Sequence, residues 1–300
     1  MIKVKYLTLF FLNIFLEMLA NYFSINCNGK LIDLSSPIVM GILNVTPDSF
    51  SDGGQYNTEV SILKKVEQMI LEEASIIDIG GQSSRPKAQM IPENVELERI
   101  LPVIKLIKKE FPDTILSIDT FRASIARIAI EEGISIINDI SGGQQDAQMF
   151  NVVAQNNVPY IIMHMQGDAQ TMQELTYYPN GLVTDILDYF IKRIGELREK
   201  NVKDIIIDLG FGFAKTISQN FELLNNLNTF AFLNVPILVG ISRKSMIYKT
   251  LQITPKEALI GTAALHWEAL KQGANILRAH DVKEANQVIK LYRSFANQKI

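Results

Sequence analysis

Cysteine is almost missing from these 300 residues, with Cys27 the only one. No intrachain disulfide and no cysteine-rich metal site can form, which points to a reducing compartment, the cytoplasm. An excess of one charge is missing too. The 29 Lys and Arg stand against 32 Asp and Glu, so nothing supports a basic nucleic-acid surface. Long linkers, low-complexity tracts and acidic tails are absent as well. The nearest thing to a long apolar run is residues 6–16, behind Lys3 and Lys5. That layout is the one used by signal peptides. The run falls short of the about 20 apolar residues a membrane span needs. Asn13 and Glu17 interrupt it, and no small-x-small cleavage site follows. Residues 1–22 read as an extension. Its role stays open between a dispensable segment, with Met18 as an alternative start, an extra packing helix and a targeting signal.

Aliphatic residues are plentiful. A hydrophobic content of 47% supports a large core and argues against disorder. Eight short aliphatic runs each stop at polar residues. The run 38–43 ends at Asn44, and 76–79 leads to Gln82, Ser83, Ser84 and Arg85. The run 115–118 ends at Asp119, 135–137 at Asn138 and Asp139, and 159–163 at His164. The run 205–208 ends at Asp208, 237–239 leads to Ser242, Arg243 and Lys244, and 275–277 to Arg278 and His280. Helical periodicity fills most of the intervals. The first helix is expected over residues 58–74, with Thr58 as its N-cap. Continuous aliphatic strands alternating with helices indicate a parallel sheet covered by helices. Polar residues at every strand end favour a closed (β/α)8 barrel over an open sheet, which would concentrate its site at one switch point. One such domain needs roughly 250 residues, which places it at 23–300.

Several rim residues suit particular chemistry on their own. Asn44 offers a hard oxygen to a cation such as Mg²⁺, which keeps several waters and shares substrate phosphates. Asp48 and Asp52 lie in the following loop, where Thr46-Pro47-Asp48 also reads as an ordinary turn. His266, beside Trp267 in a helix, looks structural.

The string Met40-Gly-Ile-Leu-Asn-Val-Thr-Pro-Asp-Ser-Phe-Ser-Asp-Gly-Gly54 is the most specific segment. It resembles dihydropteroate synthases, members of the pterin-binding barrel family. The resemblance continues through residues 78–86, 117–121, 137–140, 163–167, 208–216, 240–245 and 278–282, and covers about residues 36 to 296. It implies condensation of 6-hydroxymethyl-7,8-dihydropterin pyrophosphate with p-aminobenzoate, giving 7,8-dihydropteroate and pyrophosphate.

By that resemblance, Asp119, Asn138, Asp208 and Lys244 take the pterin edge, with Met163 as an apolar wall and Arg278 on the ring face. Asn44, Ser84, Arg278 and His280 take the pyrophosphate, and Asn44 with Asp52 hold Mg²⁺. Thr46, Pro47, Ser84, Arg85, Pro86, Phe213, Lys244 and Ser245 enclose p-aminobenzoate. Asp119, Asp208, Lys244, Arg278 and His280 form the catalytic set. His280 is expected to hydrogen-bond the leaving group, which makes its charge state near neutral pH relevant, and His164 to support the site from behind. Sulfonamides are implied as competitive inhibitors, and a homodimer as the assembly.

Five positions depart from the family pattern. Gln82 replaces a usual Glu, Ser84 a Thr, Lys87 a Gly, Leu209 a Pro and Ala214 a Gly. Three of them crowd the second loop, so altered p-aminobenzoate or sulfonamide affinity is expected. The alternatives are a pterin-binding methyltransferase, a non-catalytic pterin-binding homologue, and a membrane-associated binding protein. The first two sit poorly with an intact Ser-Arg-Lys-Ser and Arg-x-His pattern.

Overall fold

The computed structural model describes residues 23–45, 54–82, 89–168, 170–172 and 174–296. The expected roles of residues 1–22 fall outside these residues. A hairpin comes first, β1 (Ser24–Cys27) and β2 (Lys30–Asp33). Eight strands follow: β3 (Ile38–Asn44), β4 (Ile76–Gly80), β5 (Leu116–Asp119), β6 (Ile136–Asp139), β7 (Tyr160–Met163), β8 (Ile205–Asp208), β9 (Ile237–Val239) and β10 (Ile276–Ala279). They pair in parallel and in order, and β10 closes on β3. The expected (β/α)8 barrel is the observed one.

The helices are α1 (Gly54–Leu71), α2 (Glu93–Glu110), α3 (Ala123–Glu131), α4 (Met149–Asn156), α5 (Leu182–Glu199), α6 (Ile217–Asn225), α7 (Ser245–Leu251), α8 (Leu259–Lys271) and α9 (Val282–Ala296). One expectation needs correcting. Helix α1 begins at Gly54, a full turn before Thr58, so Thr58 lies within the helix and is not its N-cap.

The pleat sorts each strand into two faces. Val39, Ile77, Ile79, Ile118, Ile137, Ile162, Ile207 and Leu277 pack outward beneath the helices. Met40, Ile76, Ile136, Ile161, Ile206, Leu238 and Ile276 fill the barrel's lower interior. The hairpin plugs that end. Its residues alternate exposed and buried, and Ile25, Cys27, Ile32 and Leu34 join the interior cluster. Each fully buried aliphatic contributes about 1.5–3 kcal/mol. The turn is Asn28-Gly29, with φ of 53° and 87°, the left-handed pair that a tight two-residue hairpin requires. Burial pushes the Cys27 thiol up to about 12, so it stays an unreactive thiol.

Candidate active site

With its lower end sealed by apolar side chains, the barrel opens for chemistry at the strand C-termini. Alternation sends Asp78, Asp119, Asn138, Asp208 and Arg278 inward, one level above the aliphatic plug. Neighbouring residues point the other way. Asp139, next to Asn138, accepts hydrogen bonds from Ser141 N (2.7 Å), Gly143 N (2.8 Å) and the Tyr160 hydroxyl (2.7 Å). It stiffens the loop after β6 instead of entering the mouth.

Arg278 reaches across the mouth from β10. It donates from Nε to Asp78 Oδ2 (2.7 Å), and its terminal nitrogen lies 2.6 Å from the same oxygen and 3.0 Å from Asp119 Oδ2. Asn138 Nδ2 donates to that Asp78 oxygen as well, at 3.0 Å. On the opposite wall Asp208 accepts from Gly210 N at 2.8 Å. Lys244 donates to the Phe211 carbonyl at 2.5 Å, and its ammonium stands 4.6 Å from the centre of the Phe213 ring, close enough for a cation–π contact. Gly240 lies where these walls converge. A Cβ there would sit 3.7 Å from Asp208 Oδ2, 3.9 Å from Arg278 Cβ and 4.0 Å from Lys244 Nζ.

Two backbone devices aim these groups. Arg243 adopts a left-handed φ of 56°, which costs a non-glycine residue about 1–2 kcal/mol. Its guanidinium is clamped by Asp281 at 2.7 and 2.8 Å, and its N–H donates to Thr262 Oγ1 at 3.1 Å. That turn presents Lys244 to the mouth. The second device is the loop after β8. Lys215 is buried under it and donates to the carbonyls of Gly210 and Phe213 at 3.0 Å each. It also meets His164 Nδ1 at 3.1 Å. Gly210 has φ of 70°, and a Cβ there would come within 2.0 Å of the His164 carbonyl oxygen. Ala214, where the family usually has glycine, takes φ of 50°, so this departure leaves a strained residue in the same loop.

Burial governs the protonation of these groups. It raises Asp119 despite Arg278 beside it, and Asp78, Asp139 and Asp208 push in the same direction. It raises Asp208 despite Lys244. It lowers Lys244 to about 8 and Lys215 to about 7. His280 is lowered to about 4, by burial first and then by Arg278. His280 is therefore a neutral imidazole near neutral pH, with Nδ1 3.1 Å from Ser242 Oγ. His164 is buried against Tyr189, Tyr178 and Phe190, behind the mouth. His266 is buried in α8.

The structure thus brings Asp119, Asn138, Asp208, Lys244, Arg278 and Phe213 together. Met163, 2% exposed, ends β7 between the strands that carry Asn138 and Asp208, and Ser245 opens α7. Asn44 stands exposed at the end of β3 with its Oδ1 over Gly80. Thr46, Pro47, Asp48, Asp52, Ser84, Arg85, Pro86 and Lys87 lie outside the described residues. Sequence reading gave no task to Asp78 or Lys215. A lone carboxylate inside the aliphatic run 76–79 was the available signal for the first.

A family model described as pterin binding enzyme matches residues 40–280. The chain belongs to the pterin-binding enzyme family. The dihydropteroate synthase of Haemophilus influenzae is 42% identical over 272 residues, 90% of this chain and 98% of that protein. The Yersinia pestis dihydropteroate synthase, solved with a sulfonamide drug complex, superposes with a TM-score of 0.85 at 38% identity, covering 92% of this chain and 100% of that one. The Xanthomonas albilineans dihydropteroate synthase, solved with 4-aminobenzoic acid, gives a TM-score of 0.85 at 34% identity over 93% of this chain and 99% of that one. Among the described residues, no helix of this family member is long and apolar enough to cross a membrane.

Proposed function

We propose that this pterin-binding enzyme is a dihydropteroate synthase, joining 6-hydroxymethyl-7,8-dihydropterin pyrophosphate to p-aminobenzoate. The observation that carries the reading is the convergence of Asp119, Asn138, Asp208, Lys244 and Arg278 in one mouth. Two carboxylates and an amide can pair with the N–H-rich edge of an aminopyrimidinone. Lys244 reaches the ring from the opposite wall, Met163 forms an apolar wall, and the planar guanidinium of Arg278 suits the ring face. Arg278 and neutral His280 face the diphosphate, the imidazole acting as a hydrogen-bond partner and not as a charge.

Asn44 fits a divalent cation through one exposed hard oxygen. Mg²⁺ keeps several waters and shares substrate phosphates, so the cation would be held chiefly by substrate diphosphate, with Asn44 and Asp52 as its protein ligands. Bound Mg²⁺ would neutralise the departing diphosphate.

The reaction is dissociative in this account. The C–O bond to pyrophosphate breaks with its electron pair, and the dihydropterin carries the resulting cation at its exocyclic methylene. Asp119 and Asp208 stabilise it electrostatically. The neutral arylamine then forms the C–N bond and releases a proton to solvent. Positioning and a preorganised field supply the catalysis. The p-aminobenzoate ring would rest on Phe213 beside Lys244, with its carboxylate toward Ser245. Thr46, Pro47, Ser84, Arg85 and Pro86 would close over it. The departures at Gln82, Ser84 and Lys87 then predict a shifted ratio of sulfonamide inhibition constant to p-aminobenzoate KM; ordinary values for both remove that expectation.

A cytoplasmic location fits the lone cysteine, and fractionation tests it. A homodimer is the assembly the resemblance implies, and sedimentation velocity tests that. For the function, incubation of the protein with both substrates and Mg²⁺, followed by mass spectrometry, should yield 7,8-dihydropteroate. Recovery of unreacted substrates from folded protein rejects the reading.

A further inference from the structure

Asp78 has no task in the reading above, yet it is the most heavily used carboxylate in the mouth. It is fully buried. Through the single atom Oδ2 it accepts from Arg278 Nε at 2.7 Å and from Asn138 Nδ2 at 3.0 Å, and an Arg278 terminal nitrogen lies 2.6 Å away in the same ion pair. Among the described residues its Oδ1 has no hydrogen-bond partner, so its hold on them passes through that shared atom. We propose that Asp78 is a positioning residue for pterin binding, holding Arg278 from below and fixing the amide of Asn138, so that Asp119 can be handed to the substrate. This rests on the dihydropteroate synthase reading and deepens it.

Two steps carry the proposal. The first concerns Arg278. Asp119 holds the guanidinium by one contact of 3.0 Å and is 12% exposed at the mouth, whereas Asp78 is 0% exposed. Asp78 is thus the inner partner and Asp119 the outer one. A pterin edge that takes Asp119 leaves Arg278 still paired with Asp78. Without Asp78, the same exchange would strand a buried cation, a costly state. The second step concerns Asn138. Amide oxygen and nitrogen are normally hard to tell apart, and the hydrogen-bond network decides between them. A carboxylate paired with arginine only accepts, so Asn138 must turn Nδ2 toward Asp78. Its Oδ1 is the group left for the substrate. An acceptor there, beside Asp119 and across from Asp208, matches a ligand edge that is rich in N–H.

Asp78→Asn keeps the shape, removes the charge and offers Asn138 a donor. Loss of a charge-assisted contact of this kind is expected to raise the KM for dihydropterin pyrophosphate, and the Kd measured by calorimetry, by roughly 10- to 100-fold. The KM for p-aminobenzoate should stay near the wild-type value. Circular dichroism and urea midpoints report whether the variant folds. Wild-type pterin affinity in folded Asp78→Asn, or an equal loss for both substrates, overturns the proposal. If the variant does not fold, the wild-type protein co-crystallised with the pterin substrate decides. Arg278 kept on Asp78 with Asp119 bonded to the pterin is expected; Arg278 off Asp78 and still on Asp119 overturns it. Wild-type protein that turns over no pterin substrate would instead sink the functional reading itself.

Discussion

Lys215 and His164 meet at 3.1 Å, Nζ to Nδ1, beneath the loop that leads from Asp208 to Phe213. The pair ties the end of β7 to the loop after β8 and so joins two walls of the mouth. Burial lowers Lys215 from 10.5 to about 7. Between those values the unfolded chain holds the extra proton, so the contribution of Lys215 to stability rises with pH across that window. Urea unfolding of wild type and of Lys215→Met at pH 6.5, 8 and 9.5 measures this. The stability difference between them should shift in favour of wild type as pH rises; a flat or falling difference contradicts the assignment.

Lys244 is lowered to about 8, chiefly by burial and despite Asp208. The cation therefore neutralises as pH passes 8, and with it goes the charge that holds the pterin from its side of the mouth. The kcat/KM for dihydropterin pyrophosphate should fall above about pH 8, by tenfold per pH unit at the limit. A flat profile to pH 9.5 contradicts this role. Lys244→Ala should lose activity by at least about 100-fold while staying folded.

His280 is lowered to about 4 by burial and by the neighbouring Arg278. Its imidazole signals in an NMR titration should move with a midpoint near 4, leaving no inflection from this residue between pH 5.5 and 8. A midpoint near 6.5 would restore a charged histidine at the diphosphate. His280→Gln, which keeps a side-chain hydrogen bond without a titrating ring, should retain more activity than His280→Ala.

The sequence exposed the barrel because strand interiors here are mostly aliphatic, and the polar residues that end these runs lie at the rim. Asp119, Asn138, Asp208 and Arg278 were legible for that reason. Asp78 was harder to see, since it lies inside its run; its position makes sense only once Arg278 arrives from β10, 200 residues away. Lys215 reads as an ordinary loop lysine until the loop folds back over His164. The hairpin plug carried a local signal in Asn28-Gly29, but its strands, Ser24–Cys27 and Lys30–Asp33, mix polar with aliphatic residues and form no aliphatic run. The neutral state of His280 is not legible in its motif, because burial is a property of the closed barrel and not of its neighbours in sequence.

In this reading one barrel mouth couples departure of diphosphate to capture of an arylamine. Continuous measurement of pyrophosphate release, with dihydropterin pyrophosphate and Mg²⁺ present and p-aminobenzoate added last, tests it most directly. Turnover should depend on p-aminobenzoate and drop sharply in Asp119→Ala. Folded wild-type protein with no p-aminobenzoate-dependent release, or Asp119→Ala turning over at the wild-type rate, would contradict it.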